Sequence, residues 1–293
     1  MRKLCWILIL LVSCNTPEEG ETVDIQGHRG ARGLLPENSI PAFLKAAELG
    51  VKTMELDLVV SGDGQLVVSH EPYFSPVFCL DTLGAELQED SAINIYQLPY
   101  LEVIRYDCGS KGNPRFPEQH LIPTTKPLLS EVIDAIESFE SGRFFYNIEL
   151  KTTKETDSIF HPSPEVFSDL VYQLISDKGL WDRVNIQSFD FRTLQYFRKK
   201  YPQVKLALLI ENELSWETNV DSLGFTPEIY SCYFKLLDVK KVKGMQDAGM
   251  KVIPWTINEY SDLKLMLELG VDGIITDYPD RAINLISKNE QKI

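Results

Sequence analysis

Residues 53–70 read TMELDLVVSGDGQLVVSH, and the fold turns on how that stretch is divided. Apolar Met54, Leu56 and Leu58 alternate with Glu55 and Asp57. Successive side chains of a strand point to opposite faces, so both carboxylates leave one face at about 7 Å spacing. Taken alone, two such carboxylates read as the wet face of a half-solvated strand. Ser61-Gly62-Asp63-Gly64 then separates this run from residues 66–70 by too little chain for a helical crossover, so the two runs should form a hairpin. Folding about Asp63 returns His70 to the level of Glu55 and Asp57.

Outward from this hairpin, further β-rich runs occur at residues 24–27, 145–151, 184–189, 205–210, 229–234, 252–256 and 273–276. Residues 40–49, 128–139, 164–178, 192–200, 239–248 and 263–269 between them carry helical patterns, several closed by Gly. Strands alternating with helices build a parallel sheet covered by helices, and eight strands favour an α/β fold closed as a (β/α)8 TIM barrel over an open doubly wound sheet. Residues 71–125 break the alternation. They are rich in Pro and aromatics without sustained periodicity, far longer than an ordinary connection of about 4 to 6 residues, and are read as an insertion at the catalytic face after the second-strand hairpin.

A barrel changes the reading of the carboxylates. One face of each strand points inward, where Glu55 and Asp57 would be desolvated and mutually repulsive without a cation or proton to hold them. Asn147-Ile148-Glu149-Leu150-Lys151 repeats the alternation on the next barrel strand, placing Glu149 and Lys151 on one side. Three carboxylates from adjacent strands suit one divalent cation, Mg²⁺ or Ca²⁺, rather than a thiolate-preferring metal. His28-Arg29-Gly30 closes the first strand, where barrel enzymes place catalytic groups. His28 and His70, two of only four histidines, are candidates for general acid and base, and Arg29 offers a planar fork to phosphate oxygens.

His28-Arg29-Gly30, Pro36-Glu37-Asn38-Ser39, Glu55-Leu56-Asp57, the Asp63-Gly64 turn, Val68-Ser69-His70-Glu71 and Asn147-Ile148-Glu149-Leu150-Lys151 occur in that order. Trp255-Thr256-Ile257-Asn258 and the stretch 273–279 follow them. The series resembles the successive motifs of the glycerophosphodiester phosphodiesterase family over about residues 25 to 279. The resemblance implies a barrel, catalytic His28 and His70, a Mg²⁺ or Ca²⁺ site at Glu55, Asp57 and Glu149, and phosphate contacts from Arg29 and Lys151. It also implies that Glu37 supports the site and that Trp255 lines the glycerol pocket. Hydrolysis of a glycerophosphodiester to glycerol 3-phosphate and an alcohol is the implied activity. The alternatives are a lysophospholipase D or phospholipase C-like enzyme acting on membrane lipid, and a lipoprotein that only captures phosphorylated ligands. The sequence departs from the compact family pattern after Glu71, where the insertion starts, and that segment is expected to set substrate choice while leaving the phosphoryl chemistry alone.

The 293-residue length fits one domain with an insertion, and 44% hydrophobic with 25% charged residues is ordinary for a chain that buries a core. A net charge of -14 argues against a grip on nucleic acid, which needs clustered Lys and Arg. It also means that a phosphate substrate would need local positive charge. Met1-Arg2-Lys3, an apolar run from Leu4 to Val12, and Ser13-Cys14 read as an export signal ending in a lipobox. Cys14 is then the acylated residue, 15–22 a polar tether, and 23–293 the phosphodiesterase barrel. The expectation is an exported, membrane-anchored bacterial lipoprotein whose partners are a small glycerophosphodiester and the membrane. Cys79 and Cys108 bracket an irregular stretch, and the sequence leaves open whether they pair.

Overall fold

The computed structural model describes residues 23–88 and 92–290. Strand β1 (Asp24–His28) is followed by helix α1 (Ile40–Glu48), β2 (Thr53–Val60) and β3 (Leu66–Val68). A short helix α2 (Tyr100–Val103) and then α3 (Leu129–Phe139) lead to β4 (Phe145–Leu150) and α4 (Pro164–Lys178). The remainder alternates regularly: β5 (Val184–Ser188), α5 (Phe191–Lys200), β6 (Lys205–Ile210), α6 (Trp216–Leu223), β7 (Ile229–Cys232), α7 (Val239–Asp247), β8 (Lys251–Val252), α8 (Tyr260–Leu269), β9 (Gly273–Thr276) and α9 (Pro279–Glu290). No helix among the described residues is long and apolar enough to cross a membrane. The proposed signal, Cys14 and the tether lie outside the described residues, as do the last three residues.

Eight of the strands pair in parallel in the order β8-β7-β6-β5-β4-β2-β1-β9, and β3 hangs antiparallel on β2. Backbone bonds from Ile275 N–H to the Pro254 carbonyl (3.0 Å) and from Ile257 N–H to the Ile275 carbonyl (3.0 Å) bring the two ends together, giving the TIM barrel. The hairpin register sets Leu58 opposite Val68, and Ser69 N–H donates to the Asp57 carbonyl (3.0 Å), so His70 does return to the level of the two carboxylates.

Alternation along the strands sorts the side chains. Met54, Leu56, Leu58, Ile148, Leu150, Ile186, Leu206 and Leu208 join the main apolar cluster with Phe43, Ile133, Phe167 and Phe197 from the helices. Their neighbours in sequence point into the barrel, and many are polar: Gln26, Glu55, Asp57, Asn147, Glu149 and Gln187 are all buried. Buried amides are tolerated only when bonded. Asn147 Nδ2 accordingly donates to Gln26 Oε1 (2.8 Å) and Gln187 Oε1 (3.1 Å).

The described residues of the segment 71–125 are tied down rather than loose. They enclose a second apolar cluster of Phe74, Phe78, Leu87, Ile95 and Val103 against Val59 and Val67, and a Cys79–Cys108 disulfide crosses it. The β2–β3 hairpin leaves Asp63 at its turn, where the Asp63 carboxylate accepts from Tyr100 N–H (3.0 Å) and so fastens the start of α2.

Candidate active site

The site lies at the C-terminal end of the barrel, and local backbone constraints place its parts. Gly30 has φ +85° and lies so close to α1 that a Cβ would meet the Ala42 carbonyl carbon at 2.6 Å, so only glycine lets the chain turn here. Arg29, just before it, also has a left-handed φ of 54°, a costly conformation for a residue with a side chain. That turn aims the Arg29 N–H at Glu55 Oε2 (2.9 Å).

Register then assembles the carboxylates. His28 pairs with Glu55 across β1 and β2, and Asp57 pairs with Glu149 across β2 and β4. Ligand oxygens of Glu55, Asp57 and Glu149 lie within 4.8 Å of one another, and all three residues are buried. Burial and repulsion from Asp57 and Glu149 push the Glu55 carboxyl well above its usual range. Glu149 is also raised, by burial and by Asp57, against the pull of Lys151. For Asp57, burial is outweighed by Lys151 and Arg29, which hold it well below. Three carboxylates this close and this dry are at odds with one another, and Asp57 Oδ1 has no hydrogen-bond partner. An oxygen-only donor set with an orphaned carboxylate oxygen fits a divalent cation.

Positive charge surrounds the cluster. Lys151 Nζ lies 2.7 Å from Glu149 Oε1 and 3.3 Å from Asp57 Oδ1. Arg29 Nη1 donates to Glu37 Oε1 (2.7 Å), and its Nε lies 3.2 Å from Asp57 Oδ2. Asn38 Nδ2 donates to Asp57 Oδ2 (2.8 Å), and Gln187 Nε2 donates to Glu55 Oε1 (2.7 Å), fixing how each carboxylate faces the centre.

The two histidines have unlike surroundings. His28 Nδ1 lies 2.6 Å from Asp277 Oδ1, and its Nε2 is 4.0 Å from Glu55 Oε2. Burial, together with Arg32 and Arg29, lowers its pKa to about 4 despite Asp277, so His28 is neutral near pH 7. With Asp277 accepting at Nδ1, the free lone pair falls on Nε2. His70 is a third exposed, with Nδ1 2.9 Å from Glu71 Oε1. Burial pushes the Glu71 carboxyl up, but His70, Lys126 and Arg29 hold it at about 2.

Every site residue expected within the described chain is at this end of the barrel except for one difference in degree: Trp255 stands at the rim, half-buried. Its ring meets Phe189 edge-on (centroids 5.5 Å apart) and lies 6.0 Å from Tyr233. The sequence reading had assigned no role to Asp277, Arg32, Asn38, Gln187 or Lys126. Asp277 follows directly on β9, a position where barrel enzymes carry functional groups, and that was the available signal. Asn38 lies within the motif Pro36-Glu37-Asn38-Ser39, whereas Gln187 offered no signal.

Residues 28–281 match the glycerophosphoryl diester phosphodiesterase family. The chain belongs to that family. A glycerophosphodiester phosphodiesterase of Caldanaerobacter subterraneus is 30% identical over 263 residues, which cover 89% of this chain and 96% of that protein. A provisionally assigned glycerophosphoryl diester phosphodiesterase of Silicibacter pomeroyi superposes with a TM-score of 0.84 at 26% identity, over 92% of this chain and 95% of its own. An Oleispira antarctica phosphodiesterase, solved with its product sn-glycerol-3-phosphate, has a TM-score of 0.73 at 24% identity, over 90% and 96%. As a glycerophosphodiester phosphodiesterase the chain is a hydrolase, and its TIM barrel is that of the family.

Proposed function

We propose that this phosphodiesterase releases glycerol 3-phosphate by attack of the adjacent glycerol hydroxyl on phosphorus, with His28 as proton acceptor and His70 as proton donor. The observation that carries the reading is one buried carboxylate cluster approached by two histidines of contrasting surroundings, a neutral His28 and a more exposed His70 beside an ionised Glu71. The hydroxyl proton passes to His28 Nε2 as the new O–P bond forms. The bond to the alcohol breaks, and His70 protonates the departing oxygen. Water then opens the five-membered cyclic phosphate with the roles reversed: its proton goes to His70, and His28 returns its own to the glycerol oxygen. Arg29 and Lys151 would meet the phosphoryl oxygens, Glu37 would aim Arg29, and Trp255 would wall the glycerol pocket.

Glu55, Asp57 and Glu149 would hold a divalent cation, Mg²⁺ or Ca²⁺. When bound, it supplies Lewis-acid charge for the phosphoryl oxygens. Chelation should therefore abolish turnover of glycerophosphocholine and glycerophosphoethanolamine, and Mg²⁺ or Ca²⁺ should restore it. Full activity of metal-stripped protein would overturn the assignment. His28→Ala and His70→Ala should each lose at least about 100-fold in turnover. Faster cleavage of lysophosphatidylcholine than of either soluble diester would make the enzyme a lysophospholipase D, and tight binding without turnover would leave only a phospho-ligand carrier.

Export and anchoring through Cys14 belong to the same proposal. Support comes from the basic, apolar and small-residue order of residues 1–14 and from the Cys79–Cys108 disulfide, which suits an oxidising compartment.

A further inference from the structure

We infer that the segment 71–125 helps hold His28 in its working orientation, with Phe116 as a positioning residue that acts through Arg32 and Asp277. The inference rests on reading His28 as the proton acceptor, and it departs from the sequence-based expectation that this segment leaves the phosphoryl chemistry alone.

Phe116 is 5% exposed, and its ring centroid lies 4.6 Å from the guanidinium carbon of Arg32. Arg32, itself 4% exposed, donates from Nε (2.8 Å) and Nη2 (3.2 Å) to the two oxygens of Asp277. Asp277 in turn meets His28 Nδ1 at 2.6 Å. The same stretch of chain also grips the backbone around Arg32. Gln119 Nε2 donates to the carbonyls of Arg32 (2.7 Å) and Leu35 (3.1 Å), and His120 N–H donates to that of Leu34 (2.7 Å). On the far side, Phe116 lies 6.5 Å from the ring of Tyr278, and Arg281 Nη2 donates to Glu118 (2.5 Å). Residues 116–120 therefore clasp both the β1–α1 loop that bears Arg32 and the β9–α9 junction that bears Asp277.

A guanidinium this deeply buried needs compensation on more than one side. Asp277 and Glu37 (Nη1 to Oε2, 3.6 Å) supply it at the edge, and the Phe116 ring supplies it on a face. The ring also keeps water away, so the Arg32–Asp277 attraction acts at low dielectric. Without it, Arg32 gains rotamer freedom and Asp277 keeps only Asn258 Nδ2 (2.7 Å) as a second fixed donor. The His28 imidazole is then free to swing, and Nε2 leaves the line of the hydroxyl proton. Misplacing an acceptor costs the chemical step, while the carboxylates that would hold the cation stay where β2 and β4 put them.

The test uses the full chain with Mg²⁺ or Ca²⁺ and glycerophosphocholine as substrate. Phe116→Ala should lower kcat by about 10- to 100-fold, the range for losing a residue that orients a catalytic group indirectly. KM should stay within about twofold, and cation affinity by calorimetry should be unchanged. Phe116→Tyr, which keeps the ring face, should return kcat to near the parent's, while Phe116→Leu, which keeps apolar bulk alone, should not. In the proton NMR spectrum the downfield His28 Nδ1–H signal should broaden in the Ala variant and persist in the Tyr variant. If Phe116→Ala does not fold, Gln119→Ala takes its place, with a smaller fall in kcat in the same direction. Parental kcat in the folded variant, full recovery with Leu, or a loss that tracks cation affinity would each overturn the inference. His28→Ala separates the two levels: if it retains turnover, the reading of His28 itself fails, whereas an inactive His28→Ala beside a fully active Phe116→Ala removes only the role given to Phe116.

Discussion

Asp277 shares its two oxygens among His28, Arg32 and Asn258, and it is 1% exposed. Burial would raise its carboxyl, but Arg32 and His28 hold it far below the usual range, so it stays charged and keeps the imidazole in one tautomer. Asp277→Asn preserves the shape and removes the charge. We expect kcat to fall by about 10² to 10⁴, the scale for spoiling the tautomer of a catalytic histidine, with cation affinity little changed. A folded variant with parental kcat would make the pair structural. At this scale the sequence was unevenly legible. Glu55, Asp57 and Glu149 could be read because strand alternation converts order along the chain into direction in space. Asp277 and Arg32 act on one another across 245 residues, and the His28–Asp277 contact spans 249, distances that no local pattern encodes. Gln187 was silent for another reason, since an uncharged amide inside a barrel leaves no mark of what it points at.

Among the elements, the hairpin and seven of the eight barrel strands were readable closely, while β8 is shorter than its apolar run. Pro254 has no N–H to give toward β9, so regular strand pairing ends at Val252, while the chain stays beside β7 through Ile253 N–H to the Tyr230 carbonyl (3.1 Å) and Trp255 N–H to the Cys232 carbonyl (3.1 Å). Helices α6 and α9, and the one-turn α2, were missed. In α6 only Asn219 and Leu223 are buried, too little for an apolar stripe to appear at helical spacing. Helix α3 carries a measurable link: Glu137 accepts from Arg183 Nη1 (2.7 Å) and Nη2 (3.0 Å) and from the Tyr146 hydroxyl (2.7 Å). Burial raises the Glu137 carboxyl, but these bonds hold it at about 2 against an ordinary 4.5. A depressed carboxylate stabilises the fold above its unfolded pKa and loses that contribution as pH falls toward the folded one. Glu137→Gln should therefore cost about 2 kcal/mol at pH 7, and urea denaturation should find the gap to the parent closing between about pH 5 and pH 2. A gap independent of pH would refute the charged link. The insertion offers a second test. The Cys79–Cys108 bridge spans 29 residues, for which the chain-entropy model gives about 3 to 4 kcal/mol. Cys79→Ser with Cys108→Ser should lower the unfolding midpoint accordingly, and an unchanged midpoint would mean that the second apolar cluster holds this segment unaided.

For the whole molecule, the net charge of -14 repels phosphate at a distance, and Arg29, Lys151, Arg32 and Lys126 gather at one end of the barrel to offset part of it beside the buried carboxylates, which a divalent cation would offset further. The same charge bears on where the protein resides. An acidic barrel is not drawn to an anionic bilayer surface, so the proposed membrane association would rest on acyl chains, with Cys14 the residue proposed to carry them. The chain enters the barrel at Asp24, the first residue of β1, whereas His28 and the carboxylate cluster face the opposite, C-terminal end of the strands. An anchor attached ahead of Asp24 therefore joins the molecule on the side away from the mouth. Two consequences follow together from Cys14→Ser: radiolabelled palmitate should no longer be incorporated and the protein should leave the membrane fraction, while kcat/KM for soluble glycerophosphodiesters should remain that of the parent. Equal labelling of variant and parent would remove the lipobox reading. Lost labelling accompanied by lost turnover of the soluble substrate would instead show that the anchor acts on the site, against the separation of the two ends of the barrel.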